Sequence, residues 1–228
     1  PEVYFGAEDM ATWTVAGATG SKFVAPALSE DGLYVRFARA GESSDGNVML
    51  LKGNTEVTGK YLIYKYRTDH ISSIQIWANS IENGHDNGKA NFNQSAVADG
   101  QWHIAIIDLT KSLGNYVKPA EDGTYTIQWS RMDILDSVKS EGYIDIAYIA
   151  ICDDPTDVAS ILQDGDKELC PHEVLENAVY SDDGENHYTT CAICEAKISA
   201  AHSVSNDRVW NPETQLYTGI CVCGKEIT

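Results

Sequence analysis

The stretch KYLIYKYRTD, Lys60–Asp69, decides the fold class of this chain. Read at period two, it places Tyr61, Ile63 and Lys65 on one face and Leu62, Tyr64 and Tyr66 on the other. Successive side chains of a strand point to opposite sides of a sheet, so this pattern is that of a half-buried strand. The second set is a core face. The first faces solvent or a ligand, which makes Tyr61 and Lys65 candidates for ligand contact.

The same grammar recurs on both sides. GLYVRFARA (Gly32–Ala40), SSIQIWANS (Ser72–Ser80), WHIAIIDLT (Trp102–Thr110), YTIQWSRMDIL (Tyr125–Leu135) and YIDIAYIAICDD (Tyr143–Asp154) are short runs rich in Val, Ile, Tyr and Thr. Gly-, Asn- and Asp-rich clusters such as ENGHDNGKAN and AEDGT separate them. No long 3.6-period segment lies between them, so the spacing predicts an all-β, antiparallel sandwich and not βαβ units.

Beyond DPTDVASILQDGD (Asp154–Asp166) the composition changes. Of six cysteines, Cys170, Cys191, Cys194, Cys221 and Cys223 fall in the tail, together with His172, His187 and His202. The reading is a sandwich over residues 1–158 and a small Cys/His-rich module over residues 159–228. Cys152 ends an apolar run and reads as a small buried hydrophobe. A segment of this size with few large aliphatics seldom folds unaided, so it needs disulfides or a metal. Cys191-x-x-Cys194 and Cys221-x-Cys223 are clamps suited to tetrahedral Zn²⁺, and the histidines bring the count to eight ligands, enough for two four-coordinate sites. The core set is either Cys191, Cys194, Cys221 and Cys223 or a pair of mixed Cys/His sites. A disulfide framework is the alternative, but it leaves the interleaved histidines without a role. No HExxH or comparable pattern accompanies the ligands, so the metal is expected to be structural.

Sixteen basic residues against thirty-four acidic ones give a net charge of −18, which disfavours nucleic acid and anionic membranes as partners. No apolar run approaches the ~20 residues of a membrane span, so no membrane insertion is expected. No signal peptide is visible at PEVYFGAEDM. GxSxG, P-loop and dinucleotide fingerprints are absent from the sequence, and no catalytic residues are expected.

The tail resembles the small Cys/His-rich repeats (H-x3-C-x2-C…H…C-x-C-G) of large surface and secreted proteins of Gram-positive bacteria. The residues carrying this are His187, Cys191, Cys194, His202, Cys221, Cys223 and Gly224. Glu195 departs from the pattern, standing where glycine usually follows the second cysteine. YLIYKYRTD, GQWHIAIIDLT and YIDIAYIAI resemble strands of the galactose-binding-like jelly rolls used as carbohydrate-binding modules, a group that includes sugar binders and inert spacers. The resemblance implies a jelly-roll sandwich, extracellular or attached to a cell surface, within a larger multidomain chain.

A sugar site needs an aromatic face beside amides and carboxylates. Trp77, next to Asn79 and the polar loop with Asn83, His85, Asp86 and Asn87, is the leading candidate. Trp129, which shares a face with Ile127 and Arg131, is open as core or as platform, while Trp102 is expected to be core or edge packing. Many jelly rolls of this kind also hold a hard cation between the N-terminal segment and the last strand. The resemblance puts Glu8, Asp9 and Asp145 there as calcium ligands, with solvated carboxylates as the alternative. The functional expectation is non-catalytic binding of polysaccharide or host glycan. The alternative is a structural spacer or protein-interaction module of an adhesin or large secreted enzyme.

Overall fold

The computed structural model describes residues 1–17, 22–41, 46–51, 55–79, 91–113, 119–136, 141–154, 157, 160–162, 166–170, 178–192, 194–204, 208–213 and 215–227. Two compact units divide the chain, Pro1–Pro171 and His172–Thr228.

In the first unit, period-two runs build two antiparallel sheets. One has the order β2 (Phe23–Leu28), β3 (Val35–Ala40), β12 (Glu141–Cys152), β6 (Tyr61–Arg67), β9 (Trp102–Asp108), and β1 (Val3–Gly6) also pairs with β12. The other has the order β4 (Val48–Leu51), β11 (Trp129–Asp133), β7 (Ser73–Asn79), β8 (Asn91–Ser95). A short ribbon pairs β5 (Val57–Thr58) with β10 (Thr126–Ile127). Leu62, Tyr64 and Tyr66 of β6 share one buried core with Ile74, Ile76 and Ala78 of β7 and Met132 of β11. This is a β-sandwich, and each side chain of Ile or Leu size sealed in its core is worth roughly 1.5–3 kcal/mol. The core face expected for Lys60–Asp69 is the one observed. The opposite face is less open than expected, because Ile63 is buried there too.

YIDIAYIAIC does not alternate strictly. Ile144, Ile146, Ile149 and Ile151 all enter the core, which requires a shift of one residue. The pairing of β12 with β6 supplies it, slipping between Ile146 and Tyr148 so that Ala147 is the extra residue of a bulge.

The helices whose bounds are described are short: α1 (Ala7–Met10), α2 (Leu109–Leu113) and α3 (Asp166–Leu169). Among the described residues, no helix is long and apolar enough to cross a membrane. Asp166 of α3 bonds Lys65 (2.5 Å) and the Tyr148 hydroxyl (3.3 Å), so this stretch after Asp154 packs within the first unit.

The second unit holds two three-stranded antiparallel sheets: β13 (Ser181–Asp182), β14 (Asn186–Thr190) and β15 (Lys197–Ala201), then β16 (Val209–Asn211), β17 (Leu216–Ile220) and β18 (Glu226–Ile227). A bridge between Val204 and Cys221 stands outside these strands. Its buried side chains, among the described residues, are Cys191, Cys194, Cys221, His187 and Thr189. No described Val, Leu, Ile or aromatic side chain of this unit is buried. Apart from Thr189, its described interior consists of residues that could bind a metal.

Candidate functional site: a polar sheet face and a Cys/His centre

The outer face of the four-stranded sheet is assembled by register. Trp129, Arg131 and Asp133 of β11 stand opposite Asn79, Trp77 and Gln75 of β7, and Asn91 and Asn93 of β8 continue the row from Trp77 and Gln75. Alternation sends the intervening residues, Ile74, Ile76 and Met132, to the core and leaves these on the other side. Neighbouring side chains then lock together. The Trp77 indole Nε1–H donates to Gln75 Oε1 and to Asp133 Oδ2, both at 3.0 Å. Arg131 Nη2 donates to Oδ2 of the same carboxylate at 3.1 Å, and its Nε stands 3.0 Å from Oδ1 as an ion-pair contact. The guanidinium lies 4.6 Å from the Trp77 ring and 5.8 Å from that of Trp129, and the two indoles meet edge to face at 6.4 Å. Gln75 Nε2 donates to Asn91 Oδ1 (3.3 Å) and Asn93 Oδ1 (3.5 Å).

This arrangement reverses the order of the tryptophans. Trp77 is only 6% exposed and its face is covered by Arg131, so it is no platform. Asn79 is buried as well. Trp129, Gln75 and Asn91 are half-buried and Asn93 is exposed, so these and the Arg131 head meet solvent. Gln75, Arg131, Asp133, Asn91 and Asn93 were not singled out from sequence, although the i, i+2 spacing of Trp129, Arg131 and Asp133 puts them on one face. Loop residues Asn83, His85, Asp86 and Asn87 lie outside the described residues. Tyr61 and Lys65 sit on β6 in the other sheet, away from Trp77, Asn79 and Trp129.

The Cys/His centre is in the second unit. His187, His202, Cys221 and Cys223 each offer one ligand atom, all within 4.8 Å of one another. Cys221 Sγ is 3.3 Å from His187 Nδ1, and Cys223 Sγ is 3.5 Å from His202 Nδ1. A tetrahedron with metal–sulfur arms of ~2.3 Å and metal–nitrogen arms of ~2.0 Å has a mixed edge of about 3.5 Å, so the donor set fits a four-coordinate ion. Around it, His202 Nε2 lies 3.0 Å from the Asp182 carboxylate and 3.2 Å from Lys225 Nζ, which orients the ring so that Nδ1 faces the Cys223 sulfur. Lys225 donates to the Gly184 carbonyl and to Asp182, pinning that carboxylate. Burial works to raise the Cys221 thiol. Hydrogen bonds from the Cys223 backbone, from His202 and from the Ser203 backbone outweigh it and bring the thiol down to about 6, where the thiolate predominates at neutral pH.

The structure thus groups His187, His202, Cys221 and Cys223 as one mixed set and does not bring Cys191 and Cys194 into the same group as Cys221 and Cys223. Cys191 and Cys194 are buried within ligand distance of each other. Cys170 is buried at the end of the first unit, and His172 lies outside the described residues. No disulfide joins any of the six cysteines, and burial pushes the Cys152 thiol up to about 12.

The calcium expectation at Glu8, Asp9 and Asp145 gains no support. Among the described residues, no cluster of three or more His, Cys, Asp or Glu side chains contains them. Asp145 is fully buried and already taken: Arg36 reaches Oδ1 (2.7 Å) and Oδ2 (2.9 Å), and Arg67 reaches Oδ2 at 2.7 Å. Two guanidinium groups would repel a further cation. Asp9 accepts the Gly6 N–H as the reciprocal cap of α1.

No family profile and no curated protein matches this chain. Solved structures similar to it include an arginine-to-alanine variant of a family 29 carbohydrate-binding module, 12% identical, covering 66% of this chain and 92% of that one at a TM-score of 0.39. BiXyn10A CBM1 in its apo form is 8% identical, covers 65% of this chain and 94% of that one, and gives a TM-score of 0.40. At this level the likeness carries no functional argument, and the sandwich stands on its own strand pairing.

Proposed function

We propose that the sandwich unit is a non-catalytic glycan-binding module of a larger extracellular bacterial protein, and that the small unit is a structural zinc module. The observation that carries the first reading is the outer face of β11, β7 and β8. A sugar ring offers a C–H face and a rim of hydroxyls, each both donor and acceptor. Trp129 supplies an aromatic surface for the former. The Arg131 head and the amides of Gln75, Asn91 and Asn93 supply donors and acceptors for the latter. Trp77 and Asp133 are positioning residues: buried beneath Arg131, they hold its fork before any ligand arrives, which lowers the ordering cost of binding.

The zinc reading is supported by an interior made of cysteines and histidine and by ligand spacings that match a tetrahedral ion. His187, His202, Cys221 and Cys223 would hold one zinc. Cys191 and Cys194 would contribute to holding another. Four protein ligands leave no open position, so the ion would supply cross-linking alone.

Native electrophoresis through gels containing soluble polysaccharides, backed by a glycan array, tests the first reading. Retardation by at least one glycan is expected, and Trp129→Ala is expected to weaken it about ten-fold, equivalent to ~1.4 kcal/mol. Silence across the panel would instead favour the spacer or protein-interaction role. The exposed Val209, Trp210, Leu216 and Tyr217 of the small unit speak for that second reading.

A further inference from the structure

The six-stranded sheet carries an outer face that the reading above does not use. Three clefts adjoin along it. One of 550 Å³ runs under the turn between β2 and β3, where it meets Asp31, Tyr34 and Arg36. The next, of 220 Å³, shares Asp31 and Tyr34 with it and is floored by Arg67 and Trp102. The third, of 270 Å³, shares Leu33, Lys65 and Ala147 with the second and ends at Tyr148 and Asp166. The smaller two fall just below the ~300 Å³ at which pockets for drug-sized ligands begin, a scale suited to single sugar rings in a row.

The walls are held in place before a ligand arrives. Asp145, sealed beneath the face, fixes both Arg36 and Arg67. Arg67 is clamped between two rings, its guanidinium 5.0 Å from that of Tyr34 and 4.7 Å from that of Trp102, and the rings meet edge-on at 5.6 Å. Lys65 is drawn to Asp166 and stands 5.7 Å from the Trp102 ring. The turn that forms the wall is tied to Ser29, whose Oγ accepts the N–H groups of Leu33 and Tyr34, both at 3.1 Å, and donates to Asp31 at 2.6 Å. Leu33 at its tip is 68% exposed, an apolar surface left uncovered between two clefts.

The charge of the face selects the ligand class. Arg36, Lys65 and Arg67 are matched by Asp145, Asp166 and Asp31, with Glu30 in addition. No cation is left in excess to attract an acidic ligand, yet ionised donors and acceptors alternate beside two aromatic rings.

We propose that this groove, centred on Trp102, Tyr34 and Lys65, is a second saccharide-binding site that takes a neutral oligosaccharide along the six-stranded sheet, on the opposite side of the sandwich from Trp129 and Arg131. It rests on the glycan-binding reading for its ligand class and not for its location. Two sites on opposite faces would let one module bridge two polysaccharide chains or grip one chain more tightly through avidity.

The test uses the full chain, ¹⁵N-labelled and titrated with neutral hexasaccharides (gluco-, manno- and xylo-configured) and with polygalacturonate. The indole Nε1–H signal of Trp102 is the readout. A saturable shift with a neutral hexasaccharide is expected. In polysaccharide gels, Arg131→Ala is expected to leave residual retardation, which Trp102→Ala added to it lowers at least ten-fold further. The indole readout needs no variant, so it stands even where Trp102→Ala fails to fold. If the Trp102 signal stays still while Arg131→Ala abolishes retardation, the second site falls and the first reading survives. If Trp102→Ala alone abolishes retardation and Arg131→Ala does nothing, the second site stands and the first face falls. A shift with polygalacturonate alone overturns the neutral-ligand assignment, and no shift or retardation with any probe overturns both.

Discussion

Glu195 has φ of 60°, in the left-handed region that favours glycine. The backbone has to turn there: the Glu195 N–H returns to the Cys191 carbonyl (3.2 Å) and the Cys191 N–H reaches the Ala196 carbonyl (2.9 Å), folding the first Cys-x-x-Cys clamp. The second clamp closes the same way on Gly224, at φ of 87°, whose N–H bonds the Cys221 carbonyl. A side chain in this region costs roughly 1–2 kcal/mol, partly offset by the entropy of a glycine in the unfolded chain. Glu195→Gly should therefore stabilise the second unit by about 0.5–1 kcal/mol, read as a higher urea midpoint for its unfolding; an unchanged midpoint would show that the turn is unstrained. Gly224→Ala should shift the midpoint the other way. The departure at residue 195 was visible as a break in a motif, but its backbone angle was not. Trp77 shows the same limit. Its place on a mixed aromatic and amide face could be read from period two, whereas the stacking of Arg131 over it depends on cross-strand register, which no single strand encodes.

At the level of elements, β12 organises the sandwich. It pairs with β1, β3 and β6, and its bulge at Ala147 lets four isoleucines reach the core. The sequence YIDIAYIAIC announced a strand. It did not show where the alternation slips, because the partner strand sets that. Asp145 illustrates the consequence. Read along the chain, it is one carboxylate among thirty-four acidic residues. In the sheet, it lies opposite Arg36 on one side and Arg67 on the other, and it is the shared partner of both. Its bond raises the pKa of the Arg36 guanidinium against the opposing pull of burial. Removing one member of a buried ion pair typically costs 3–5 kcal/mol; because Arg36 and Arg67 retain partial access to water, Asp145→Ala should cost about 3 kcal/mol, at the low end. Chemical denaturation followed by Trp fluorescence checks this, and a loss below about 1 kcal/mol would mean that the two arginines find other partners. Because the same carboxylate fixes Arg67, the variant should also loosen the Trp102 groove.

For the whole molecule, the two units hold themselves together by different means. The first has an apolar core shared by two sheets. The second has cysteines and histidine where a core would be. Stripping metal with a strong chelator should therefore collapse the amide spectrum of residues 172–228 while the signals of the sandwich core persist. Metal analysis of the untreated protein should give about two zinc ions per chain. A second unit that keeps its dispersion without metal would overturn the zinc reading. The sequence by itself determined the class of each part: period-two apolar runs dictate strands, and an aliphatic-poor tail with paired cysteines dictates a staple. Which cysteine joins which histidine, which tryptophan meets solvent, and whether Asp145 meets a cation or two arginines were decided only by the tertiary structure. Burial, register and ligand grouping are distances between segments far apart in the chain, and local pattern carries no measure of them.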